Sequence, residues 1–182
     1  MPREVVRTPL DEPGLDPAPG VEADEALSLP PDSPARRAFL RGLVLAAVDA
    51  VNRGDLDAWL RMVAPDVIVR IARLEGGGIW GGDFDEFYRG PDGVRRLVEQ
   101  WVDPWDEIRL EPHEILDKGG DSFIAIGEWV GTGHGSGVEV RTPWPARFTL
   151  RGGLTSRIDF FPSAEAAREF TLEDDPDHPR DR

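Results

Sequence analysis

The sequence predicts an α+β fold in which a strongly curved antiparallel sheet wraps around N-terminal helices as a cone. Three observations carry that prediction. Apolar residues recur at helical spacing through residues 34–63 and again through 91–102. Almost every later stretch alternates with the two-residue period of a strand. Glycine-bearing turns join those stretches as hairpins require.

The elements follow in chain order. Ser33 and Pro34 supply an N-cap and a first-turn proline, and Phe39, Leu40, Leu43, Val44, Ala47 and Val51 form an apolar stripe that runs to Asn52. "NRGD" ends this helix, and Asp55 caps a shorter one, "LDAWLRMV", which Pro65 keeps from extending. "DVIVRIARL" is the first strand. "EGGGIWGGDFDEFYRG" is a loop or short hairpin whose Trp80, Phe84, Phe87 and Tyr88 either cover a cavity or seal one end of the core. "PDGVRRLVEQWV" is a third helix with Val94, Leu97, Val98 and Trp101 on its apolar face. Strand patterns follow in "EIRLEPHEIL", "SFIAIGEWVGTG", "GVEVRTPWPARFTLR" and "LTSRIDFF", and a closing helix, "SAEAAREF", starts at the N-cap Ser163.

Composition bounds the function. The 182 residues carry a net charge of −14 and no cysteine, so disulfides and thiolate metal sites are excluded. An acidic field of that size repels phosphate backbones, which predicts no nucleic-acid partner. No stretch approaches the roughly 20 apolar residues of a membrane helix, which predicts a cytoplasmic protein without a membrane partner. Much of the acidity sits at the ends. Residues 1–33 hold two Arg against eight Asp or Glu, and residues 173–182 hold two against five, so both segments are expected to be disordered around a folded domain at 34–172. His178 falls in the second of them.

One residue stands out within the domain. Asp159 lies among Ile158, Phe160 and Phe161, where an ionised carboxylate needs a partner or water. If it faces inward, a cavity follows, and the apolar Ile158 and Phe160 then lie on an outer face that a second copy of the chain would cover, giving a homodimer. The alternative is an ion pair with Arg147 or Arg157 that supports the sheet. Glu128 either interrupts an inward face of Ile124, Ile126 and Val130, or is solvated while Phe123, Ala125 and Trp129 point inward. His134, between Gly133 and Gly135, falls on a turn at the end of a strand; it is either a second polar group of the site or an exposed loop histidine. His113 is expected on the outer face. Trp59, Trp80, Trp101, Trp144 and Phe148 are candidates for the wall, and Arg147 and Arg157 for holding a ligand oxygen.

The order of elements, with "AVDAVNRGDLDAWL", "FYRGPDGVRRLVEQW", "GTGHGSGVEV" and "FTLRGGLTSRIDFFPSAEAAREF", resembles the SnoaL-like branch of the nuclear transport factor 2-like superfamily over residues 34–172. That resemblance implies a cone with a cavity for an apolar polyketide, terpenoid or steroid-like molecule. It also implies cofactor-free acid–base chemistry of the lyase, cyclase or hydrolase type, with Asp159 and His134 or Glu128 as the catalytic pair. The rival reading is a non-catalytic ligand-binding or dimerisation module. The positions that carry ketosteroid isomerase chemistry hold Ala47, Ile71 and Ala146 here. The acid–arginine–acid triad of limonene epoxide hydrolase is represented by Asp159 and, near the second acid, by Glu128 without its arginine.

Overall fold

The computed structural model describes residues 5–10, 22–71 and 84–170. In chain order the elements are β1 (Val6–Pro9), α1 (Ala23–Ser28), α2 (Pro34–Asn52), α3 (Leu56–Leu60), β2 (Val63–Ile71), β3 (Phe87–Arg89), α4 (Gly90–Val102), β4 (Trp105–Asp117), β5 (Ser122–Gly133), β6 (Glu139–Pro143), β7 (Ala146–Arg151), β8 (Leu154–Phe160) and α5 (Ala164–Glu169). The strands form one curved, unclosed sheet in the order β1-β4-β5-β7-β8-β2-β3, with β6 pairing a further stretch of β5. α2 packs against β4 and α4 against β2, which defines an inner face of the sheet.

The α+β cone expected from the sequence is present, with a correction to the sheet. It is mixed: β2 and β8 run parallel, with Val69 opposite Ile158 and Arg70 opposite Asp159, while the other pairings are antiparallel. A parallel pair needs a long crossover, and everything between Ile71 and Leu154 serves as one.

Local chemistry explains most boundaries. Asp55 accepts a bond from the Ala58 amide at 2.9 Å, and Ser163 one from the Ala166 amide at 3.1 Å, so these two expected caps form, whereas Ser33 stands at the N-cap of α2 without a side-chain cap bond. Pro65 does more than stop a helix. It lies inside β2, where the register with β8 shifts between Val63 and Ile68, the kind of bulge at which a strand tolerates a missing N–H. "GVEVRTPWPARFTLR" divides at Trp144-Pro145 into β6 and β7.

The acidic N-terminal segment departs from its expected disorder in two places. β1 adds to the free edge of β4, with Thr8 opposite Ile115, and covers an edge that would otherwise present unpaired backbone groups. Ala26 of α1 is fully buried. Arg36 of α2 locks this arrangement. Fully buried, it bonds Asp117 at 2.6 and 3.0 Å, the Gly120 carbonyl at 2.8 Å, and the carbonyls of Leu27 and Leu29 at the end of α1. Composition argues from bulk apolar content and misses a single guanidinium that satisfies three backbone carbonyls. Residues 1–4, 11–21 and 171–182, with His178 and most of the acidic tail, lie outside the described residues.

Candidate functional site

A cavity of about 70 Å³ opens between the helices and the inner face of the sheet. α2 contributes Leu43, Val44, Ala47 and Val48, α4 contributes Leu97, Val98 and Trp101, and the sheet contributes Phe123, Phe148, Ile158 and Phe160. The helical stripes read from the sequence explain this directly, because their 3.6-residue spacing turns each of these side chains toward the sheet. Ring contacts fix the wall: Phe148 stacks on Phe123 with centroids 5.4 Å apart, and Trp101 meets Trp129 edge-on at 6.3 Å. Trp59 and Trp144 complete the expected aromatic lining. Trp80 lies outside the described residues. Thr155 is the one hydroxyl-bearing residue among the described lining residues, and none of them carries a formal charge.

Asp159 is not on that wall. Its strand neighbours Ile158 and Phe160 line the cavity, so alternation turns Asp159 to the opposite, outer face. There it is 3% exposed and surrounded by guanidinium groups. Arg147, 4% exposed and directly opposite on β7, reaches one carboxylate oxygen at 2.7 and 3.2 Å. Arg157 reaches both oxygens at 2.9 and 3.0 Å, and Arg70 of β2 lies at 3.4 Å. The inward orientation expected of Asp159 is therefore corrected, and with it the placement of Arg147 and Arg157 beside a ligand. The Phe170 ring lies 4.8 Å from the Arg147 guanidinium. This is the ion-pair alternative, realised across three neighbouring strands.

The same alternation decides the strand carrying Glu128. Phe123 lines the cavity and Trp129 packs in the same core cluster, so Glu128 faces outward, about a third exposed, with Arg141 at 3.5 Å. His134 is exposed in the turn after β5. It bonds the Asp106 carboxylate and, at 2.8 Å, the Asp103 carbonyl, and the Asp106 hydrogen bond, with help from that carbonyl, pushes its pKa above the usual histidine range. Neither His134 nor Glu128 lines the cavity, so the structure does not bring the three candidate catalytic residues together at this wall.

Glu111, His113 and Glu128 place one potential ligand atom each within 4.8 Å of one another on the outer face. Arg109 and Arg141 hold Glu111 at 2.8 and 2.9 Å and draw its pKa below the ordinary carboxylate value. The positive charge a cation would supply is already provided by arginine, and an ion-pair network accounts for the cluster. Deeper in the fold, burial raises the pKa of Tyr88, whose hydroxyl donates to Gln100 at 2.6 Å and accepts from the Asp85 amide at 3.0 Å.

Ile158 and Phe160, expected on an outer face that a second copy would cover, line the cavity instead. On the actual outer face, Ala167 of α5 and the flanking Phe161 and Phe170 pack with Leu116, Ile124 and Ile126, and the arginine cluster occupies the strands beside them. Val5, Phe87, Val138 and Val140 are the exposed large apolar side chains among the described residues.

The model of the SnoaL-like domain family matches residues 44–158. Among solved structures, TerC co-crystallised with polyporic acid is 21% identical with a TM-score of 0.56, over 70% of this chain and 94% of that one. A nuclear transport factor 2-like protein of unknown function from Burkholderia pseudomallei is 22% identical, TM-score 0.56, over 70% and 93% of the two chains. A candidate polyketide cyclase from Xanthomonas campestris is 23% identical, TM-score 0.52, over 68% and 90%. At these identities the likeness concerns the fold. No curated protein sequence matches.

Proposed function

This chain belongs to the SnoaL-like domain family, and from that premise we propose that it binds a small apolar organic molecule in the cavity between its helices and the inner face of its sheet. The observation that carries the reading is the wall itself: a space left open among aromatic and aliphatic side chains, on the concave side that the family's fold provides. A space of about 70 Å³ is much smaller than the several hundred Å³ typical of drug-sized ligands. A ring or a narrow apolar end fits it. A polyketide, terpenoid or steroid-like molecule enters only if the partly exposed Trp59, Met62 and Leu110 swing outward.

Binding is favoured over acid–base turnover because Asp159 is engaged by arginines on the other face, while Glu128 and His134 are held by surface partners. The experiment is ligand-induced stabilisation across a panel of aromatic, terpenoid and polyketide compounds, with mass spectrometry of molecules co-purified with the protein. Apolar binders that raise the melting temperature, and whose effect disappears when Ala47→Phe fills the cavity, support the reading. A folded protein that no panel member stabilises and that carries no co-purified compound contradicts it.

A further inference from the structure

Thr155 reaches the cavity wall against the parity of its own strand. Ile158 and Phe160 line the cavity while Arg157 and Asp159 face outward, and strict alternation would turn Thr155 outward with them. A bulge reverses it. On the facing strand β7, Thr149 pairs with Arg157 but its neighbour Leu150 pairs with Thr155, so Ser156 is an extra residue in β8. The Ser156 hydroxyl donates to the Thr149 carbonyl at 3.2 Å and stays with the bulge. Thr155 thereby shares the face of Leu150, a member of the core cluster on the helix side of the sheet. Bulges of this kind re-aim side chains and are over-represented beside functional sites.

The re-aimed side chain is polar, buried and unsatisfied. Thr155 is 6% exposed, and although its amide donates to the Met62 carbonyl at 2.9 Å, its hydroxyl makes no hydrogen bond to any described residue. A buried hydroxyl without a partner costs stability, and valine would fill the same space without that cost. The other described lining residues carry no hydroxyl and no formal charge. A water beside Thr155 would find on this wall few of the roughly two to four polar partners that hold a buried water. A ligand with an apolar body and one neutral oxygen meets both demands. An ionised head does not, since nothing on the described lining pairs with its charge.

Resting on the binding reading above, we infer that Thr155 is the specificity-determining residue of the cavity and that the ligand is a neutral ring compound bearing a hydroxyl group, a phenol or ring alcohol, bonded to the Thr155 hydroxyl. The threonine hydroxyl both donates and accepts, and a ligand hydroxyl matches it in either sense. The space of about 70 Å³ suits a single ring.

The test uses p-xylene, p-cresol and p-toluate, in which one methyl group becomes a hydroxyl or a carboxylate. Calorimetry at pH 7 is run on the full chain as wild type, Thr155→Val and Thr155→Ser. The desolvation of p-cresol is common to all three proteins, so the ratio of p-cresol to p-xylene affinity isolates the bond. That ratio should fall about three- to tenfold in Thr155→Val and be kept in Thr155→Ser, while p-toluate binds wild type at least about tenfold more weakly than p-cresol. Thr155→Val should melt no lower than wild type, because it removes an unpaired group. An unchanged ratio in Thr155→Val, the same fall in Thr155→Ser, p-toluate matching p-cresol, or a lower melting temperature for Thr155→Val overturns the inference. Binding of p-xylene or naphthalene without p-cresol also overturns it, and leaves the apolar cavity site standing. Failure of p-xylene, p-cresol and naphthalene alike contradicts the binding reading itself.

Discussion

Replacing Asp159 by alanine separates a structural carboxylate from a catalytic one. In the wild type, Arg147 is 4% exposed and its guanidinium holds Asp159 at 2.7 and 3.2 Å, so Asp159→Ala leaves a buried cation without its carboxylate partner. Breaking a buried pair in this way costs about 3–5 kcal/mol. Arg157 is about four-fifths buried and Arg70 about two-thirds, so both can turn toward water and relieve part of the loss. For a chain of this size, about 2–4 °C is lost per kcal/mol, and the melting temperature should fall by about 6–20 °C. Circular dichroism melts and urea titrations read this, and the binding panel is run on the same variant below its transition. Affinity for apolar ligands should be unchanged in the folded fraction, because Ile158 and Phe160, rather than Asp159, face the cavity. Asp159→Leu with Arg147→Met should recover most of the stability, since two matched apolar groups remove the charge and its desolvation together. A stable Asp159→Ala protein that loses ligand binding would refute the reasoning.

Other positions give sharper local tests. Arg36→Met removes the side chain that ties α1 to the β4–β5 turn; it should cost about 3–5 kcal/mol and open residues 22–33 to proteolysis and hydrogen exchange before the rest of the domain. Gly127→Ala would place a Cβ 2.4 Å from the Glu111 carbonyl oxygen and 2.8 Å from the Trp144 ring, so it should destabilise by about 1–3 kcal/mol, push Trp144 into the cavity and weaken ligand binding. The raised pKa of His134 means that its bond to Asp106 contributes fully below the ordinary histidine value of about 6.5 and is lost as pH rises through the raised one. The difference in melting temperature between wild type and His134→Gln should accordingly shrink from mildly acidic to mildly alkaline pH.

The helical faces were legible because a 3.6-residue stripe has one solution: Leu43, Val44, Ala47, Leu97, Val98 and Trp101 can meet the sheet on no other side. The caps at Asp55 and Ser163 were legible for the same local reason. The site was not, because β8 is apolar in both registers. Ile158 and Phe160 look inward, while Phe161 on the other face packs beneath α5, so alternation alone did not say which set faced the helices. The deciding signal lay across strands. Arg157 shares the strand face of Asp159, but Arg70 and Arg147 occupy places beside β8 that only the pairing brings around it, and a buried carboxylate is more cheaply satisfied by facing cations than by a cavity. The parallel pairing of β2 with β8 was hidden for a related reason: hairpin turns announce antiparallel neighbours, whereas partners far apart in sequence carry no local mark. Arg36 escaped notice because it stands beside Arg37 and one turn and a half before Arg41, and an arginine in such company reads as a solvated surface residue until Asp117 and the α1 carbonyls close around it.

Methyl-labelled NMR of the full chain, titrated with a stabilising apolar ligand, tests the placement of the site most directly. Shifts centred on the cavity methyl groups, those of Val44, Val48, Leu97 and Ile158 among them, with Leu116, Ile124 and Ile126 unmoved, are the predicted result. Shifts centred on Leu116, Ile124 and Ile126, beside Arg147 and Asp159, would contradict it.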